Sequence, residues 1–248
     1  MKLFVCITND ARLLPHFIRH YQRFGITEFH IAVGRELSDY VAEKGVGFRV
    51  TQYNGFDTLD SITGGAEAVT AIRNLAQGAD EWVCIIYLDE FVEFGEPVAR
   101  IVERLDRHGF NVARGTMYDR MTRDGRMLAF DDSSDLPSLY PVRVRLVKEL
   151  MGGLDRKSVL VKGHLRSKGA HHKFHDEKGD RNLLEISHYK WNDRTIARLR
   201  EAHDMVVAKG ISWSEQYRKL LDHYDANGRI AWEEFGGEIV GDSSGQKI

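Results

Sequence analysis

The sequence is poor in the features that fix a fold or a cellular address on their own. It holds two cysteines in 248 residues, Cys6 and Cys84, and both lie inside apolar runs. That excludes a disulfide framework and a cysteine zinc site, and it leads us to expect a reducing, cytoplasmic compartment. No apolar run approaches the roughly 18 residues that a membrane span needs. The N-terminal stretch Met1–Asp10 carries an apolar run of five residues, shorter than the core of a secretory signal. Internal repeats, low-complexity tracts and an interdomain linker are missing as well. What remains is 42% apolar and 29% charged, an ordinary globular composition, long enough to bury a substantial core.

The formal charge of −2 conceals an asymmetry. Residues 141–200 carry 15 Lys and Arg against 7 Asp and Glu, so the rest of the chain is acidic. A basic segment set against an acidic body suggests an anionic ligand such as a phosphate ester. The same segment lacks the interleaved aromatics of a single-strand groove, so no nucleic-acid partner is expected.

The pattern of the first half is β–α–β–α. Leu3–Thr8, Phe29–Val33 and Phe48–Tyr53 read as strands. Helices are expected over Pro15–Phe24, with Phe17, Ile18 and Tyr21 on one face, and over Leu37–Lys44. Asn54–Gly65 reads as a loop and Ala66–Gln77 as a helix. Next comes Trp82-Val-Cys-Ile-Ile-Tyr-Leu-Asp89-Glu90-Phe91, seven apolar residues that end at two adjacent carboxylates. Such a run without polar alternation is a strand buried on both faces, as in a parallel sheet covered by helices. Ligands of open α/β sheets sit beyond the carboxyl ends of such strands, which places Asp89 and Glu90 where chemistry is expected.

Beyond Phe91 a helix is expected over Pro97–His108, strands over Phe110–Met117 and Tyr140–Val147, and a turn at Asp124-Gly125. Residues 163–181 show no periodicity and hold His164, His171, His172 and His175. The stretch Asn192–Leu221 has a helical pattern. Two metal sites compete in this half. Histidines with Asp176 could hold a transition metal. His223–Glu234 places Asp225, Asn227, Ile230 and Glu234 at calcium-loop spacing, but His223 stands where the leading Asp belongs, so a corner between helices is the better account.

Several ordered pieces carry a family likeness: Thr8-Asn9-Asp10 followed by Leu14-Pro15-His16-Phe17-Ile18-Arg19-His20-Tyr21; Asp80-Glu-Trp82-Val83 leading to Leu88-Asp89-Glu90-Phe91; Met117-Tyr118-Asp119-Arg120; Gly169-Ala-His171-His172; and His188-Tyr189-Lys190-Trp191. In this order they resemble the glycosyltransferase family 2-like proteins of the GT-A type, particularly those similar to family 92. The resemblance spans about residues 1–200. It implies a GT-A-like, Rossmann-like α/β fold with a mostly parallel sheet flanked by helices. We expect that domain over 1–191, with a C-terminal helical extension, 192–248, packed on it.

The resemblance also implies a reaction, the transfer of a sugar from a nucleotide-sugar donor, with a UDP-sugar foremost, to a glycan or cell-envelope polymer. A peripheral position at a membrane surface is compatible with such an acceptor. Thr8, Asn9, Asp10 and Arg12 would receive the nucleotide, with Tyr87 and Lys190 also at the donor. Asp89 would hold Mn²⁺ or Mg²⁺ on the diphosphate, and His172 or His188 would complete the metal shell. A hard cation neutralises the charge that develops on the leaving diphosphate. Asp119 is the candidate base of an inverting transfer, followed by Asp131 or Asp132, and Glu90 stands beside the metal in the catalytic motif. The chain departs from the family pattern at Tyr87, where an Asp is usual, and at Val33-Gly34-Arg35, where Asp-Asn-x-Ser is usual. A degenerate nucleotide- or glycan-binding module is therefore one rival, and a hydrolase using the histidine loop is another.

Overall fold

The computed structural model describes residues 1–7, 10–53, 74, 81–165, 174–210 and 214–240, with the backbone alone for 180–183. In chain order the elements are β1 (Lys2–Ile7), α1 (Leu14–Arg23), β2 (Glu28–Val33), a 3-10 turn (Arg35–Leu37), α2 (Ser38–Lys44), β3 (Arg49–Tyr53), β4 (Trp82–Ile85), β5 (Glu90–Glu93), α3 (Val98–Arg107), β6 (Val112–Met121), α4 (Leu136–Leu139), β7 (Val142–Val144), α5 (Leu146–Glu149), β8 (Arg156–Lys162), β9 (Gly179–His188), α6 (Thr195–Ala208), α7 (Ser214–Asn227), a second 3-10 turn (Trp232–Phe235) and β10 (Glu238–Ile239). The chain forms two compact units: Met1–Thr116 with Arg156–Ile186, and Met117–Asp155 with Ser187–Ile248.

The first unit is the α/β body that the apolar runs announce. β1 pairs in parallel with β2 on one side and β4 on the other, and β2 pairs in parallel with β3. β8 joins β4 antiparallel, and the first part of β6 joins β8 in the same sense. Phe4, Cys6, Val83, Ile85 and Val161 are buried together from neighbouring strands. Leu3, Val5, Ile7 and Cys84 are buried on the opposite face, and burial on both faces is why β1 and β4 show no polar alternation. Burial also pushes the Cys6 thiol up to about 12, so it packs as a small apolar group.

Helix α1 is placed by its apolar face. Pro15 sits in its first turn, Phe17, Ile18 and Tyr21 are fully buried, and Gly25, at φ 85°, turns the chain out of the helix. The Tyr21 hydroxyl donates to the Glu90 carbonyl at 2.9 Å and accepts from the Val92 N–H at 3.1 Å, which pins the start of β5.

The second unit has its own core. The end of β6 pairs antiparallel with β7, which pairs antiparallel with β10. Met121, Val142, Leu146, Trp191, Leu199, Leu220 and Trp232 pack together, so the C-terminal helices share a core with Met117–Asp155. The expected boundary at 191/192 thus falls inside this unit. The helical stretch expected over 192–221 is two helices, with Gly210 at φ 64° closing the first. The strand expected over 140–147 shrinks to β7, because the chain turns into α5 at Leu146. Strands β8 and β9 have no counterpart in the sequence reading. In β8 a lysine and a serine interrupt the apolar pattern, and β9 is rich in polar residues. Asp225 and Asn227 lie within α7 and Asp225 pairs with Arg200, so the calcium-like spacing is a helix corner that turns at Gly228.

His20 provides a pH-sensitive link in the first unit. Its Nε2–H donates to the Val92 carbonyl at 2.9 Å, and its Nδ1 accepts from Arg23 at 3.0 Å. Burial lowers its pKa from 6.5 to about 4, with the Arg23 charge acting in the same direction. As pH falls, the unfolded chain takes up this proton first. The stabilisation is therefore complete above about pH 6.5 and is lost towards pH 4, by roughly 3 kcal/mol at most. We expect His20→Phe, whose ring would pack near Phe24 and Phe91, to flatten that part of the stability profile. Urea denaturation from pH 7 to pH 4 checks this, and equal slopes for both proteins would contradict it.

Candidate functional site

In the first unit the strand order is β4-β1-β2-β3. The chain moves from β1 outward through β2 to β3, then returns to the other side of β1 as β4. The crevice beyond the carboxyl ends of β1 and β4 is thus a topological switch point, where open α/β sheets bind ligands. The register of Lys2 with Val83 and Phe4 with Ile85 brings these two ends side by side. The segment carrying Asp10 and Arg12 leaves one strand, and the turn Tyr87–Glu90 leaves the other.

That turn explains why β4 stops at Ile85, short of the full apolar run. The Glu90 N–H donates to the Tyr87 carbonyl at 3.2 Å, and the Glu90 side chain reaches back to accept the Tyr87 N–H at 3.0 Å. Glu90 is buried, and both its oxygens accept from the Lys157 ammonium of β8, at 2.6 Å for Oε1. The ammonium also lies 4.2 Å from the centroid of the Tyr87 ring, a cation–π contact. Asp89 is half-buried, and one of its oxygens lies within 4.8 Å of one from Glu90. Hard cations bind oxygens at about 2.0–2.6 Å, so the two carboxylates are close enough to bracket one. Asp89 suits that role, while Glu90 is committed to Lys157.

Asp10 and Arg12 form a local pair. The guanidinium donates to both Asp10 oxygens, at 2.8 Å from Nη2, and the Arg12 N–H also donates to Oδ1 at 3.1 Å. Thr8 and Asn9 lie outside the described residues, as does His172. Of the other loop histidines, His164 and His175 are exposed.

In the second unit, Asp119 and His188 come together. Asp119 is fully buried. Its Oδ1 accepts from His188 Nδ1–H at 2.8 Å and from Trp191 Nε1–H at 2.7 Å, and its Oδ2 accepts from the Val147 N–H at 2.9 Å. A carboxylate surrounded in this way by donors does not reach an acceptor hydroxyl. Asp119 was expected as the base, and here both its oxygens are engaged by these three donors. It holds His188 in the tautomer whose basic nitrogen is Nε2, the arrangement found behind metal-binding and proton-accepting imidazoles. Lys190 is half-buried in the turn that follows β9, with its ammonium 5.6 Å from the Trp191 ring. Asp131 is exposed and caps its own turn through the Ser133 N–H at 2.9 Å.

Sequence reasoning missed Lys157 and gave Trp191 no role. Lys157 lies between Arg156 and Ser158 at the start of Arg156-Lys-Ser-Val-Leu-Val-Lys162, so the sequence carries no local signal for its burial.

No family model and no curated protein matches the chain. Among solved structures it is similar to HddC from Yersinia pseudotuberculosis, at 10% identity and a TM-score of 0.35, covering 52% of this chain and 64% of HddC. A 4-diphosphocytidyl-2C-methyl-D-erythritol synthase matches at 14% identity and a TM-score of 0.39, over 66% of this chain and 75% of its own. The corresponding synthase from Anaerococcus prevotii DSM 20548 matches at 7% identity and a TM-score of 0.36, over 65% and 69%. The chain thus spans less than two thirds of the length of HddC. At these values the likeness assigns neither activity nor ligand.

Removing the Asp119 carboxylate strands three buried donors, one of them a main-chain N–H. We expect Asp119→Ala to lose about 3–5 kcal/mol of stability. Urea denaturation followed by tryptophan fluorescence, to which Trp191 contributes, checks this. A loss below about 1 kcal/mol would mean that the carboxylate is not the unit's polar anchor.

Proposed function

We propose that the chain is a nucleotide-sugar-dependent glycosyltransferase whose donor site is the switch point between β1 and β4. The observation that carries this reading is the placement of the acidic turn, with Asp89 half-buried, at the carboxyl end of a central parallel strand beside the segment that follows β1. The resemblance supports the same residues. Asp89 is the ligand we assign to Mn²⁺ or Mg²⁺, and the cation's contribution is to neutralise charge on the leaving diphosphate. Arg12 is the donor-binding cation of this unit.

In the transfer, an acceptor hydroxyl attacks the anomeric carbon, the bond from that carbon to the diphosphate oxygen breaks, and the nucleoside diphosphate leaves with the bonding pair. The hydroxyl proton passes to a base. The residues assigned here hold the donor and spread the charge of the leaving group.

One observation favours a second reading. Tyr87 and the Glu90–Lys157 pair reduce the charge of the acidic turn, which suits a module that binds a nucleotide without turning it over.

Isothermal titration of UDP into the wild type and Asp89→Ala, each with and without Mn²⁺, tests the donor site. We expect Asp89→Ala to weaken UDP binding by about tenfold or more in Mn²⁺. Equal affinity would remove Asp89 from the site. UDP release from UDP-sugars by the wild type would exclude the module, and binding without release from a panel of nucleotide-sugars and acceptors would exclude the enzyme.

A further inference from the structure

The acidic turn already contains a cation. Lys157 projects from β8, is buried together with Glu90, and places one ammonium on both carboxylate oxygens and beside the Tyr87 ring. Burying a carboxylate is costly unless a charge and hydrogen bonds accompany it, and Glu90 has both, from Lys157 and from the Tyr87 N–H. Lys157 is equally dependent, because its hydrogen-bond acceptors here are the two oxygens of one carboxylate and its third neighbour is an aromatic face.

The electrostatic consequence follows from counting charges. An Asp-x-Asp-Glu turn presents three carboxylates and needs a divalent ion to relieve their repulsion. Here the first position is a neutral tyrosine and Glu90 is engaged by Lys157, so the motif offers a cation one carboxylate, Asp89, where the usual pattern offers three. Magnesium and manganese sites of useful affinity collect several oxygens, and one carboxylate leaves most of the shell to water or to the phosphates of a bound ligand.

We propose that Lys157 is the built-in counter-cation of this turn. It keeps the Tyr87–Glu90 backbone in its folded shape without metal, and it prevents Glu90 from acting as a metal ligand. The divalent ion is then recruited together with a diphosphate and is not held beforehand. Tyr87 belongs to the same device, since its ring shields the ion pair at the position where a carboxylate would compete for the ammonium. The inference rests on the donor-site reading through Asp89, but its test uses metal alone, so the two fail separately.

The experiment is thermal melting and direct Mn²⁺ titration of the full chain without nucleotide, for the wild type, Lys157→Met, Tyr87→Asp and the double variant Lys157→Met with Glu90→Gln. For the wild type we expect the same Tm in chelator and in Mn²⁺. Lys157→Met strands the Glu90 carboxylate and should lower Tm by roughly 10 °C in chelator, with Mn²⁺ restoring part of the loss. The double variant carries neither charge, so it should fold if the single variant does not and should show no Mn²⁺ response. Tyr87→Asp should raise Mn²⁺ affinity on the order of tenfold while Lys157 stays in place. A wild-type Tm that rises by several degrees in Mn²⁺ alone would overturn the proposal. So would a Lys157→Met protein, or a Tyr87→Asp protein where Lys157→Met does not fold, whose Mn²⁺ response equals that of the wild type.

Discussion

The buried ion pair between Glu90 and Lys157 is the interaction on which the acidic turn depends. It connects β8 to the residue where β5 begins, and through the Glu90 carboxylate it closes the turn onto the Tyr87 N–H. Tyr21 of α1 holds the same residue from its main-chain side. With strand, helix and turn all converging on Glu90, the adjacent Asp89 is carried on a rigid support. A buried pair of this kind is weak evidence for stability and better evidence for specificity, because either half alone is a liability.

The second unit repeats the logic with different chemistry. Asp119 is a buried carboxylate satisfied by an imidazole, an indole and a main-chain amide, with no lysine or arginine among the three. Both buried carboxylates hold a neighbour in place. Glu90 supports the turn that carries Asp89, and Asp119 supports His188.

The parallel half of the fold was most legible where its strands are buried on both faces and leave uninterrupted apolar runs, as in Leu3–Ile7 and Trp82–Ile86. The placement of Asp89 at a strand's carboxyl end followed from the same run. The sequence hid β8 and β9, because a strand that buries a lysine against a distant carboxylate has no local pattern to betray it. Lys157 and Glu90 are 67 residues apart, and β4 and β8 pair at a similar remove. The division into two units was hidden for the same reason, since each unit is built from two separate stretches of chain. The burial of Asp119 was hidden too, because its partners Trp191 and Val147 are connected to it by no spacing rule.

The central claim is that the switch point between β1 and β4 receives a nucleoside diphosphate. A crystal structure of the chain grown with UDP and Mn²⁺ tests it most directly. The account predicts the diphosphate beyond the carboxyl ends of β1 and β4, with Asp89 on the cation and Glu90 still paired with Lys157. A nucleotide bound elsewhere, with the Asp89 turn unchanged and bare, would contradict it.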